Sequence, residues 1–218
     1  MRKMKRFVRC RVLVSALAVI SALAMASCEE HVEIYDSSIK VGNILLSDNT
    51  VISPYGYDRD SHMAVGVIFY THEDTVLVVG TKELGSHIYT DSIGTVSNVT
   101  NDAVSLCGAE NTAAILSSEF HSPAVEAVKA FCCPVSGWVL PSAGELKALS
   151  RNLAVVSVSM KAIGGDAFTT RQYLSSSQDG SSTDSEKMYY YSVSLVNGFI
   201  TSVLKTTEGC VRPVIRIR

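Results

Sequence analysis

Apolar residues recur at the strand period toward both ends of this chain and at the helical period in its middle. That switch confines it to a mixed architecture of separate strands and helices. Val41-Gly42-Asn43-Ile44-Leu45-Leu46, Thr50-Val51-Ile52, Ala64 to Tyr70 and Thr75 to Val79 are β-branched stretches of strand length. Ser47-Asp48-Asn49 and His72-Glu73-Asp74 divide them, which predicts antiparallel strands. Gly85 to Thr100 is rich in Ser, Thr, Gly and Asp and is expected to be loop. A turn of helix is expected around Asn111 to Leu116. Ser122-Pro123 then supplies an N-cap with proline at the first helical position, and Val125, Val128, Phe131 and Cys132 share one face. Ser142-Ala143-Gly144-Glu145 is a capping box continued by Leu146, Leu149 and Leu153. Asn152 to Ile163 fits a helix through Leu153, Val156, Met160 and Ile163, yet Val155-Val156-Ser157-Val158 has strand propensity; Gly164-Gly165 ends either one.

The last third returns to strands. Asn197-Gly198 between two alternating runs predicts a hairpin with a two-residue type I′ turn. That turn pairs Tyr191 with Leu204 and Val193 with Ser202. Tyr191, Val193, Leu195, Ile200 and Leu204 then face the core, while Tyr190, Ser192, Ser194 and Thr201 face out. Val211 to Ile217 is a final short strand whose Pro213 suits a sheet edge.

The beginning of the chain stands outside this folding pattern. Six of the 19 Lys and Arg residues precede position 28 and no acid does, and Val12 to Ser27 is almost wholly apolar. A membrane-spanning helix needs about 20 apolar residues, so the shorter run reads as the core of a secretory signal. Met25-Ala26-Ser27-Cys28 resembles a bacterial lipobox, with Cys28 as the acylated residue. The organisation expected is a signal peptide over 1–27, an acidic tether over 28–40 and a single domain over 41–218. The alternative is an ordinary signal peptide cut near Ala26. Glu29, Glu30 and Glu33 resemble the surface-export signal of Bacteroidetes lipoproteins, which implies a lipid-anchored protein exposed on the bacterial outer membrane. Beyond the leader, 13 basic residues face all 21 acidic ones. Such a body repels phosphate backbones, and no nucleic-acid partner is expected.

Setting Cys10 and Cys28 aside leaves Cys107, Cys132, Cys133 and Cys210. Neighbouring Cys132 and Cys133 are poorly placed to bond each other. Pairing of each with Cys107 or Cys210, or four reduced thiols, remain the alternatives. There is no CxxC, and His31, His62, His72, His87 and His121 are scattered, so no metal is expected. The absence of a P-loop, HExxH, nucleophile elbow or dinucleotide fingerprint predicts no cofactor and no enzyme.

Several stretches form an ordered set of motifs: Val41 to Leu45, Ala64 to Phe69, Glu110 to Ala113, Gly137-Trp138-Val139-Leu140-Pro141-Ser142-Ala143-Gly144-Glu145-Leu146, Tyr173 to Ser177, and Val211 to Val214. Their order resembles the DUF1566 and fimbrillin-associated surface lipoproteins of Bacteroidetes. The resemblance implies an α+β, C-type lectin-like domain related to formylglycine-generating enzymes: small antiparallel sheets, paired first and last strands, two or three flanking helices and long loops presenting a ligand face. Leu174 stands where that family usually has tryptophan.

The serine-rich run and the outward strand face form the expected recognition surface: Gln172, Tyr173, Ser175, Ser177, Asp179, Ser182, Asp184, Tyr190 and Ser192. Their hydroxyls, amides and carboxylates could pair with a glycan or a protein ligand, and Tyr190 would add rigid contact area. The expected function is a surface-anchored lectin-like module, an adhesin or pilus-associated subunit, with the lipid bilayer and pilus subunits as partners. The rivals are a structural envelope or pilus-assembly protein without a small ligand, and a formylglycine-generating-type enzyme.

Overall fold

The short β-branched runs do pair. The computed structural model describes residues 37–92, 94–180 and 189–218, so the expected signal peptide 1–27, Cys28, most of the expected tether, Ser182 and Asp184 lie outside the described residues. One sheet has the order β10-β4-β3-β1-β2, from β1 (Ile44–Leu46), β2 (Val51–Ile52), β3 (Ala64–His72), β4 (Thr75–Gly80) and β10 (Val214–Arg216). The other has the order β5-β9-β6-β7-β8, from β5 (Ser86–His87), β6 (Gln172–Gln178), β7 (Tyr189–Ser194), β8 (Ile200–Leu204) and β9 (Gly209–Cys210). All pairings are antiparallel except β6 with β9. The fold is α+β.

The C-terminal segment joins the sheets, because β9 belongs to one and β10 to the other. Arg212, at the corner between them, is fully buried. Its guanidinium donates to the carbonyls of Gly80 at 2.9 Å and Asp166 at 3.0 Å and lies 4.6 Å from the Phe168 ring centre. The expected strand Val211 to Ile217 is shorter: Pro213 lies outside it, and β10 ends the sheet order with Val139 bridging Val214 on its outer side. β10 pairs with β4, so the first and last strands share a sheet without touching as neighbours.

Four helices are described: α1 (Gly108–Leu116), α2 (Pro123–Lys129), α3 (Ala143–Arg151) and α4 (Leu153–Ala162). The Ser122 hydroxyl caps α2 through the Val125 N–H, and the Ser142–Glu145 capping box starts α3. A Cβ on Gly144 would stand 2.4 Å from the Val104 carbonyl oxygen. Glycine there lets the start of α3 press onto that loop. The ambiguous valine-rich stretch is α4, because Val156 and Met160 fit the core between the sheets. It ends in a Schellman turn: Gly165 N–H bonds Met160 O, Gly164 N–H bonds Lys161 O, and Gly164 has φ +70°.

Three apolar clusters fill the domain. The largest joins Ile44, Val67, Phe69 and Val79 to Leu146, Leu149, Val156 and Met160, and to Tyr173 and Val193 of the second sheet. A second covers the other face of that sheet with Tyr89, Ile115, Val125, Leu140, Leu174 and Tyr190. A third lines the outer face of the first sheet through Leu45, Ile68, Val78 and Ile215. Trp138 is half-buried, packed against the second and third clusters and meeting Phe131 edge-on at 5.5 Å. The four cysteines are free thiols: Cys210 is buried, Cys107 and Cys133 half-buried, Cys132 exposed.

The β7–β8 hairpin departs from expectation. Tyr191 faces Ser202 rather than Leu204, and Val193 faces Ile200. The connection runs from Leu195 to Phe199, closed by Ser194 N–H to Phe199 O and Gly198 N–H to Ser194 O. Only Gly198 of the Asn-Gly pair has positive φ. Leu195 is fully buried while Val196 and Phe199 are exposed; drawing Leu195 into the core lengthens the loop and slides the pairing by two. A two-residue slip preserves which side chains share a face.

Candidate functional site

The described part of the serine-rich run is not an exposed recognition surface. Residues 172–178 form β6, flanked by β9 and β7 and, apart from Gln172, buried, and Tyr173, Ser175, Ser177, Asp179, Tyr190 and Ser192 are placed in the interior rather than on a surface. Tyr190 is 1% exposed instead of outward. Its ring stacks on Tyr89 at 5.3 Å, its hydroxyl donates to Thr207 O, and burial pushes its pKa far up. Tyr173 is buried, donates to Glu83 Oε2 at 2.6 Å, and has its pKa pushed up to about 12, first by burial and then by that carboxylate. Ser175 donates to Tyr191 O, Ser177 accepts from Ala143 N–H at the start of α3, and Ser192 donates to Gln172 Oε1 and Thr201 O. All three are buried. Asp179, 5% exposed, accepts from the Tyr191 hydroxyl at 3.0 Å. Gln172 is exposed. The serines are small hydroxyls that fit between covered faces and pair with backbone, which is why a polar strand can be buried here.

What β6 does is hold up a loop. The Gln178 side chain clamps Val96 at both ends: Val96 N–H donates to Oε1 at 3.0 Å, and Nε2 donates to Val96 O at 2.8 Å. Buried Lys205 donates to the same Oε1 and to Gly94 O, with Nζ 5.3 Å from the Tyr89 ring centre. Gln178 N–H bonds Thr100 O, while Asn111 of α1 accepts from Thr100 N–H and donates to Ser176 Oγ at 3.3 Å. Residues 94–100 are thereby fixed opposite α1 and the α1–α2 turn.

An open groove of about 470 Å³ lies between them, with Thr95, Ser97 and Asn98 on one side, Ala113, Ala114 and Ser117 on the other, and Ser118, Glu119 and Phe120 at its end. Asn98 sits at φ +64°, a conformation uncommon outside glycine but tolerated by asparagine. A Cβ on Gly94 would meet Phe120 Cζ at 2.3 Å, so glycine admits the ring that closes the groove. A smaller depression of about 250 Å³ continues beyond Ser118–Phe120, along Leu116, His121 and Glu126. Ser117 and Ser118 hydroxyls bond nearby carbonyls. The side chains of Thr95, Ser97, Asn98 and Glu119 have no such bond among the described residues. The groove thus presents hydroxyls, an amide, a carboxylate and an aromatic edge.

His121 Nδ1 is 2.9 Å from Asp91 Oδ2 beside the smaller depression. No serine bonds the other ring nitrogen among the described residues, so the pair lacks the nucleophile of a relay. Burial, followed by Glu145, pushes the Cys107 thiol up, which opposes thiolate formation at the start of α1. No three His, Cys, Asp or Glu side chains among the described residues converge on a metal position.

Sequence reading missed Thr95, Ser97, Asn98, Ser117, Ser118, Glu119 and Phe120. Their one signal is the polar composition on either side of Leu116; nothing local says that the two segments face each other. No protein-family model matches the chain, and a search of curated proteins gives no match.

Proposed function

We propose that this chain is an exported lipoprotein, acylated on Cys28 and held at the outer-membrane surface, whose C-type lectin-like domain binds a glycan or protein ligand as an adhesin or pilus-associated subunit. The fold reading is supported by two small sheets linked through the C-terminal segment and by long loops gathered beyond the second sheet. The observation that carries the binding reading is the groove: about 470 Å³, within the range of ligand clefts, with uncommitted polar side chains on a loop tied down by buried Gln178 and Lys205. A pre-formed polar surface loses little entropy when it captures hydroxyl or amide groups. The ligand reading therefore moves from the serine run, whose buried members act as scaffold, to the loop that they support.

The structural-assembly reading has its own observation. β8 is an edge strand of five residues, with Val196 and Phe199 exposed at its hairpin tip, and an edge can accept a partner strand. A glycan and peptide array probed with the processed chain separates the readings. Groove ligands should be lost in Glu119→Gln and kept in Ser202→Pro, whose position turns its N–H away from β7, and an assembly partner should show the reverse. Radiolabelled palmitate should enter the wild type and not Cys28→Ala; equal labelling contradicts the anchor.

A further inference from the structure

The outer side of α4 and the end of α3 carries Arg151, Ala154, Val155, Val158, Lys161 and Ala162, all exposed. Spacings of three and four residues put them in one stripe along the helix. Val155 is 51% and Val158 69% exposed, whereas Val156 and Met160 on the inner side are buried. No acidic residue occurs from Leu153 to Gly165, and a cation stands at each end of the stripe. Arg and Lys can lay their methylenes along an apolar surface while their charges reach a headgroup layer. An apolar face bracketed in this way suits a lipid–water boundary. An apolar cleft of about 410 Å³ opens on the flank of the same helix, between Met160 and Lys161 on one side and Ala167 and Phe168 on the other.

The point where the chain enters the domain identifies the occupant. Ser38 O accepts from Asn43 Nδ2 at 2.8 Å, and Gly42 O accepts from Ser159 Oγ of α4 at 2.6 Å. A Cβ on Gly42 would stand 2.7 Å from Val155 Cγ1, so the entering chain is fastened beside the stripe. Residues 29–36 separate Cys28 from the described domain, so Cys28 lies at most roughly 30 Å along an extended chain from Ser37. We infer that the α4 stripe is the membrane-apposed face of the domain, its valines resting at the headgroup boundary of the bilayer that holds the acyl anchor. This inference rests on the lipoprotein reading. α1, which lines the groove, and α2 pack on the far face of the second sheet from α3, so the groove and the stripe belong to different faces of the domain.

The test uses the acylated chain in a Cys132→Ser background, with Val158→Cys or, as control, Ser97→Cys carrying a nitrobenzoxadiazole probe. The protein is bound to phosphatidylethanolamine–phosphatidylglycerol vesicles with or without doxyl-labelled lipid. The bilayer quencher should cut emission at position 158 about twofold and leave position 97 nearly unchanged, as expected for a side chain at the interface. Flotation with the vesicles but no quenching at 158 overturns the inference while leaving the anchor intact. Shielding of the 158 probe from aqueous iodide without bilayer quenching also overturns it, and shows the stripe covered by the tether or a second copy. Failure to float refutes the anchor and the inference together.

Discussion

Replacing Gln178 with methionine keeps the side-chain volume and removes three hydrogen bonds: Val96 N–H at 3.0 Å, Val96 O at 2.8 Å and Lys205 Nζ at 2.5 Å. Each neutral bond contributes about 1 kcal/mol net and the charged one about 1.5–3 kcal/mol, so the summed loss is about 3.5–5 kcal/mol. Cavity formation adds little because the volume is conserved. The loss is large against a typical stability of about 5–15 kcal/mol, and urea unfolding at matched m-values measures it directly. Hydrogen exchange at Val96 provides a local readout, because its amide should lose protection beyond what the global change accounts for. A loss under about 1 kcal/mol, or unchanged relative protection at Val96, would refute the claim that this side chain holds the groove loop.

Ser142→Ala should cost about 0.5–2 kcal/mol in denaturant unfolding, toward the upper end, since the hydroxyl also donates to Ser105 O at 2.7 Å. Tyr190→Ala should cost about 3–5 kcal/mol; a negligible change in Tm would show the ring to be outside the core. Burial raises the pKa of Glu145 in spite of its bonds from Ser142 and Gly108 N–H. The folded state therefore holds the proton more tightly than the unfolded one, and this contribution to stability is lost as pH rises from the ordinary glutamate range through the folded pKa. Stability of the wild type relative to Glu145→Gln should fall over that interval; a rise would reverse the assigned direction.

Local chemistry was readable in the sequence and distant contact was not. The starts of α2 and α3 follow from Ser122-Pro123 and Ser142–Glu145, because a cap involves only residues three apart. The assignment of α4 needed tertiary information: its valines favour a strand, and Asn152 Nδ2 bonding Phe69 O at 3.0 Å helps seat the helix on the first sheet. The parity of β7 was legible, but its meaning was not, since an alternating strand with one polar face looks half-exposed until a second core covers that face. Buried Lys205 and Arg212 carry no signature either. Their partners, Gly94 and Gln178 for the one and Gly80 and Asp166 for the other, are far away in the chain.

The claim that most needs measurement is that the groove beside residues 94–98 is where this domain binds. Asn98→Gly removes an amide at φ +64°, a backbone that glycine adopts freely, and Glu119→Gln removes only a charge. With the processed chain on glycan and peptide arrays, the account predicts a defined set of ligands whose binding drops about tenfold or more in the double variant, a loss of about 1.4 kcal/mol of binding free energy, and is unchanged in Gln172→Ala. Undiminished binding by the double variant, or an array with no ligand for the wild type, contradicts it.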